Sequence, residues 1–394
     1  MGIKKIREIG KVITGKTPPT AIKEYFGNKF PFITPTDITG ENRFINEPAR
    51  YLSDEGYEYQ KNLAIPSNSI CFTCIGSTVG KMAIANRVSF TNQQINSIIV
   101  DSNVADYRYI FYLLKTQIER IKNYAGGAAK PIISKSIFKE ISIPCSPLPI
   151  QRKIASILSA YDDLIEANEQ RIKILEEMAR LIYKEWFVKF RFPGYEKVKM
   201  IESELGKIPE GWEVKKVGDI LERISSGKQY DSNTVKKSGK VPVLDQGRTG
   251  VIGYHDDEPS VTASEDNPVI VFANHTCYQN LILFPFSAIQ NVLPFIPNKE
   301  NFRNIFWLHY ATKGLVKFND YKGHWPEFVN KKLIVPPPDI CQKFGEIVKP
   351  IVIQIYKLQR QNANLRQTRD MLLPKLISGK IDISELDILA KESA

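Results

Sequence analysis

The stretch 154-IASILSAYDDLIEANEQRIKILEEMARLIYKEW-186 carries its apolar residues in two interleaved series with a seven-residue step. One is Ile154, Tyr161, Asn168, Leu175 and Ile182; the other, four residues on from each, is Leu158, Ile165, Ile172, Ala179 and Trp186. No Gly or Pro interrupts the run, so the 3,4 spacing predicts one long helix with a coiled-coil seam. Such a seam needs a partner. The same spacing returns from Phe344, as Phe344, Ile351, Leu358, Leu365 and Leu372 in one series and Val348, Ile355, Asn362, Arg369 and Leu376 in the other.

Each helix has one Asn on its seam. An antiparallel pairing that sets Asn168 opposite Asn362 brings nearly all remaining seam residues into apolar layers, from Ile154 with Leu376 to Trp186 with Phe344. A buried amide needs a hydrogen-bonding partner, so the two asparagines are expected to fix the register. The layer of Tyr161 with Arg369 is the awkward one. Charge favours the pairing: positions 162–177 carry Asp162, Asp163, Glu166, Glu169, Glu176 and Glu177 against Arg171 and Lys173, whereas 353–368 carries Lys357, Arg360 and Arg366 and no acid. The plainer alternative is two unrelated amphipathic helices, each packed on its own domain.

Working outward, residues 1–149 read as short strands broken by turns, with one strand over 4–13, others near 30–34, 69–75, 81–85 and 95–100, a helix over 107–123 and a Gly-rich basic loop over 124–135. The proline-broken link 145–149 ends this domain and the helix region 150–190 follows. A polar linker then leads into a second domain within 191–338. There the opening pattern returns: Lys4-Lys-Ile-Arg-Glu-Ile-Gly-Lys-Val-Ile-Thr-Gly-Lys16 matches Lys215-Lys-Val-Gly-Asp-Ile-Leu-Glu-Arg-Ile-Ser-Ser-Gly-Lys228 with one insertion. Strands near 241–244, 269–273, 281–284 and 332–335 and a helix over 301–317 complete it. The second helix region is 339–378, with a tail over 379–394. Domain, helix, domain, helix at a period near 190 residues is a duplicated half rather than a solenoid. The expected fold is α+β: two similar mixed α/β domains separated by a long antiparallel two-helix coiled coil, with a pseudo-two-fold internal duplication. Lengthening the linker at 187–203 is expected to move the second domain relative to the helices.

The chain has 394 residues, 43% of them hydrophobic and 25% charged, with a net charge of +11, values that suit a globular protein with a polyanionic partner. The start lacks an apolar leader core and no run reaches the roughly 18 apolar residues of a membrane span, so a cytoplasmic location away from membranes is expected. Five cysteines are too unevenly spread for a disulfide framework. Cys71 and Cys74 lie in an apolar strand-like run and read as core. The four histidines, His255, His275, His309 and His324, have no metal-ligand spacing.

Gly10-Lys-Val-Ile-Thr-Gly15-Lys16-Thr17 matches the phosphate-loop pattern in its letters. That loop works where a helix begins at its Gly-Lys-Thr and aims N–H groups at phosphate. Here Pro18 and Pro19 follow at once and the repeat copy lacks the first Gly, so the segment reads as a turn. Glu213-Val-Lys215 looks like the end of a nuclease motif, but without an upstream acidic partner it reads as a strand entry. No catalytic residue and no metal site is assigned.

Base-edge recognition uses Arg, Lys, Asn, Gln, Ser and Thr in positions where backbone and cations also meet phosphates. Such residues gather in turns of both halves: Ser77, Thr78, Lys81, Asn92, Gln93, Gln94, Lys130 and Lys135 in the first, and Gln246, Arg248, Thr249, Asn274, His275, Lys322, His324 and Lys331 in the second. A solvated loop is the plain reading of any single cluster; their parallel placement makes them candidates as a group.

The chain resembles the specificity subunits of type I restriction-modification enzymes. The likeness is carried by Ile143-Pro-Cys-Ser-Pro-Leu-Pro-Ile-Gln-Arg-Lys-Ile154, Leu164-Ile-Glu-Ala-Asn-Glu-Gln-Arg-Ile172, Ser203-Glu-Leu-Gly-Lys-Ile-Pro-Glu-Gly-Trp-Glu-Val214 and the closing Leu372-Leu-Pro-Lys-Leu-Ile-Ser-Gly-Lys380. It implies two target recognition domains, each reading half of a split double-stranded DNA sequence, and helices that act as a ruler and dock two methyltransferase subunits, with two restriction subunits where the system has them. It also implies that S-adenosylmethionine and ATP with magnesium belong to those partners, with no cofactor in this chain. The second helix departs from the family pattern, with Phe344-Gly-Glu in place of Ile154-Ala-Ser and Arg369 on the seam. A catalytic reading would require ATP affinity of the chain alone, and a protein-binding scaffold would leave DNA unprotected.

Overall fold

A computed structural model describes residues 2–40, 43–126, 131–247, 250–298, 304–320 and 322–386. The chain divides into two units, residues 1–167 with 362–394 and residues 168–361. The cut passes through both long helices, Leu148–Tyr183 and Pro338–Ile377.

In the first unit a five-stranded sheet runs in the order Gly10–Thr14, Ile95–Val100, Ile70–Thr73, Met82–Ala85, Phe44–Ile45, and a four-stranded sheet in the order Phe26–Gly27, Tyr51–Leu52, Phe30–Ile33, Phe90–Thr91. The helix Tyr107–Lys122 packs on the larger sheet. Asp106 caps it by accepting hydrogen bonds from the amides of Arg108 and Tyr109. Residues 4–13 are not one strand. Gly2–Lys5 pairs with Ser142–Cys145, a helical turn Ile6–Ile9 follows with both isoleucines fully buried, and Gly10–Thr14 then joins the sheet. The apolar spacing that suggested a long strand serves that turn instead.

Both glycines of the phosphate-loop look-alike are explained by packing. A Cβ on Gly10 would lie 2.2 Å from the Ile99 carbonyl oxygen, and one on Gly15 would lie 1.9 Å from that of Thr91. Residues 15–19 form no helix, so the N–H array of a phosphate loop is not built.

The second unit repeats this plan. One sheet runs Leu221–Arg223, Val292–Pro297, Val269–Ala273, Gln279–Ile282, the other Gln229–Tyr230, Ser287–Ile289, Val241–Leu244, Val251–His255, and Glu213–Lys216 pairs with Lys332–Val335. Even the register repeats: Asn96 and Ile98 face Phe72 and Ile70 in the first unit, and Leu293 and Phe295 face Phe272 and Ile270 in the second. The helix expected over 301–317 is shorter, Ile305–Thr312; Lys313 leaves it in an extended conformation and Gly314 follows with φ 80°. A two-stranded hairpin, Met200–Ser203 with Gly206–Pro209, occupies part of the linker.

Within each unit the long helices pack antiparallel. In the first, Ile154, Ala155, Leu158, Leu376 and Ile377 share the domain core with Ile110, Leu113 and Phe138. In the second, Ala179, Phe187, Phe344 and Val348 share a core with Phe272, Phe295 and Trp307, and the Trp186 and Phe344 rings lie 6.1 Å apart, as the expected layers require. Asn168 donates to the Gln361 side chain at 3.3 Å, and Asn362 to the Ile165 carbonyl at 3.3 Å. Arg369 donates to Asp162, one residue past the expected Tyr161, which gives the half-buried cation a buried counter-charge. The first helix closes on a π-helical turn, Lys184–Val188.

Candidate nucleic-acid interface

The polar turns of each half come together at one end of their sheets. In the first unit the Cys74 amide donates to the Gln94 carbonyl at 2.8 Å, and the Cys74 carbonyl accepts from the Ile133 amide at 2.9 Å. Gly76 donates to the Pro131 carbonyl at 2.9 Å. The turns that hold Ser77, Thr78 and Lys81, Asn92 to Gln94, and the approach to Lys135 are thereby pinned to one another by main chain alone.

The second unit uses the same pins. The Asn274 amide donates to the Asn291 carbonyl at 2.9 Å, and its carbonyl accepts from the His324 amide at 2.9 Å. Gln246 joins this group: its Oε1 accepts from the His275 amide at 2.9 Å, its carbonyl accepts from the Thr276 hydroxyl at 2.6 Å, and His275 Nδ1 lies 3.0 Å from the Lys322 carbonyl. Duplicated backbone contacts thus bring the candidate turns together in both halves.

The candidates differ in what they can offer a ligand. Ser77, Lys81, Gln93, Lys135 and Lys322 are exposed. Lys135 lies not in a loop but at the first position of the helix Lys135–Glu140, capped by Ser134. Thr78 is half-buried and bonds the Ile75 carbonyl. Asn92 is 8% exposed, with its amide nitrogen 3.2 Å from Gln94 Oε1, and Gln93 accepts from Thr17. Asn274 spends its side chain on the Trp325 amide and Asn291. His324 is fully buried, Nε2 3.1 Å from the Asp320 carbonyl and Nδ1 3.7 Å from Glu327, so it braces the loop rather than facing outward. Lys331 is paired with Glu327 at 3.1 Å, and that bond holds the Glu327 carboxyl below its ordinary range. Lys130, Arg248 and Thr249 lie outside the described residues.

The turn 34–37 escaped the sequence reading. It follows Phe30–Ile33, which pairs in parallel with Phe90–Thr91 just as Val241–Leu244 pairs with Ser287–Ile289 before Gln246. The Asp37 carboxylate accepts from the Thr34 amide and hydroxyl at 2.7 Å and from the Ala49 amide at 2.9 Å. Its signal was the Thr-x-x-Asp spacing of a capping box. Asn291, at φ 68°, is the turn residue likewise missed in the second half.

Among the described residues no group of three or more His, Cys, Asp or Glu side chains is placed to hold a metal, and no helix is long and apolar enough to cross a membrane.

A family model described as the type I restriction modification DNA specificity domain matches the chain twice, at residues 1–177 and 209–365. The chain belongs to the type I restriction-modification DNA specificity family. Across this family it is 32% identical to the MjaIX specificity subunit of Methanocaldococcus jannaschii, over 98% of this chain and 94% of that one. It is 35% identical to the HindI specificity subunit of Haemophilus influenzae over 39% of this chain and 35% of the relative. In three dimensions it matches the crystal structure of a type I restriction-modification system S subunit from M. genitalium with a TM-score of 0.62 at 20% identity, covering 95% of both chains. The role that goes with this family is DNA sequence recognition.

Proposed function

We propose that the pinned turns of each unit read one half of a bipartite double-stranded DNA target, while the long helices set the gap between the halves. The observation that carries this is the repetition of the same main-chain pins, Cys74 with Gln94 and Asn274 with Asn291, behind two different sets of polar side chains. One scaffold with two vocabularies is what two unlike half-sites require. Lys81, Lys135 and Lys322, exposed beside those turns, supply phosphate contacts that position the reading residues. In this reading the helices also dock two methyltransferase subunits, which bring S-adenosylmethionine. Restriction subunits bring ATP and magnesium, and the assembly works in the cytoplasm.

The test is a footprint of the chain assembled with its methyltransferase partner. Two short protected tracts separated by an unprotected gap are expected. Exchanging residues 1–149 for the matching domain of a relative should change one half of the methylated sequence and leave the gap intact. Change of both halves together, or absence of any protection, refutes the reading and leaves a protein-binding scaffold.

A further inference from the structure

From Lys135 onward, corresponding positions in the two halves are separated by one step: Lys135–Glu140 and Trp325–Asn330, Ser142–Cys145 and Lys332–Val335, Leu148 and Pro338 each differ by 190. By that step Asp162 corresponds to Val352 and Arg369 to Ala179. One layer of the helix pair is therefore charged in the first unit and apolar in the second. In the first, Asp162, 5% exposed, accepts from both Arg369 and the Tyr112 hydroxyl. In the second, Ala179 is fully buried and Val352 packs on the same core. There the corresponding Tyr310, at the same distance from its helix cap as Tyr112, stacks on Tyr183 with ring centroids 6.0 Å apart.

We propose that this layer is a key that makes the first long helix pair with the second and refuse a second copy of itself. A like pair of first helices, with one copy in the place of its counterpart 190 residues on, would set Asp162 against Ala179 of the other copy and bury a carboxylate without its cation. A like pair of second helices would bury Arg369 against Val352. An unpaired buried charge is far costlier than an apolar layer. The flanks act in the same direction, since 162–177 is predominantly acidic and 353–368 has cations only. The domains extend the key. Arg43, buried under the first domain, pairs with Asp163 at 2.5 Å and Glu166 at 3.1 Å on the first helix, whereas Glu265 and Asp266 of the second domain meet Lys357 and Lys349 on the second helix. The fitting partner of either helix is thus a segment of opposite charge, the other half of a chain.

The experiment uses the full chain, folded and then nicked at a protease site inserted between Leu205 and Gly206, in the exposed turn of the hairpin. Native mass spectrometry then reads which halves remain together after mixing and equilibration. Unlike pairs alone are expected for the wild type. The variant Asp162→Val with Arg369→Ala and Tyr112→Phe, which writes an apolar layer into the first unit without orphaning the Tyr112 hydroxyl, should keep its thermal stability and scramble into like and unlike pairs. Should that variant not fold, Asp162→Arg with Arg369→Asp decides, and is expected to keep unlike pairs only. Like pairs in the nicked wild type, separation into free halves, or a stable apolar variant that still forms unlike pairs alone overturns the proposal.

Discussion

Asn362 donates its side-chain amide to the main-chain carbonyl of Ile165 at 3.3 Å. The bond is made to a helix backbone and not to another seam side chain, so it marks one position along the facing helix. Replacing Asn168 and Asn362 together by Leu removes two buried amides and adds apolar contact. The melting temperature should rise, while spin-label distances across the helix pair should broaden because the mark is gone. A lower melting temperature with an unchanged distance distribution would contradict this.

Salt dependence should rank the cations. Lys81, Lys135 and Lys322 are exposed, and each change to Ala should lower the slope of log K against log salt by about 0.9 on any sequence. Lys331 is already neutralised by Glu327, and its Ala variant should move the slope much less. Binding titrations between low and physiological salt measure both; equal effects of Lys331 and Lys322 would refute the ranking.

His309 is buried, and burial, with Lys313 nearby, lowers its pKa to about 3. The unfolded chain takes up that proton at a pKa of about 6.5, so below this value the unfolded state binds more protons than the folded one. Stability from this group is complete above pH ~6.5 and declines as the pH falls toward 3, by up to ~1.4 kcal/mol per pH unit. Urea midpoints at pH 7 and pH 5 should show the drop, and His309→Gln should flatten it.

The gap between half-sites should respond to the helices and not to the linker. The linker reading expected extra residues at 187–203 to move the second domain, but that domain shares its core with Ala179, Phe187, Phe344 and Val348 of the helix region. Extra residues in the exposed hairpin turn should therefore leave the methylated gap unchanged. Seven residues added to each helix keep the seam in phase and lengthen it by about 10.5 Å, so the gap should grow by about three base pairs. Methylome sequencing distinguishes the two.

The helices were legible because a seven-residue period is written in many side chains at once; the expected facing of Asn168 and Asn362 is a different matter, since Asn168 donates to Gln361 and Asn362 to the Ile165 carbonyl. The Arg369 layer was not legible, because a seam diagram has no place for Asp162, whose contact comes from the helix flank. The candidate turns stand where Asn, Gln, Lys and Gly cluster, but which of their side chains are exposed was not legible. Nothing local separates the buried His324 from the half-buried His275; the difference lies in the Asp320 carbonyl and Glu327 that enclose the former. The split of 4–13 into strand, turn and strand was hidden because Ile6 and Ile9 suit a helical turn and a strand alike.

The pins behind the turns are made by amides and carbonyls, and such groups are the same for nearly every residue. Cys stands at the pin in one half and Asn in the other, Gln against Asn at its partner, with no loss of either bond. These main-chain bonds are therefore indifferent to which residues make them. If the turns read bases as proposed, substitutions in them would alter which bases are met without first repairing the frame, and a lineage would acquire a new target in few steps.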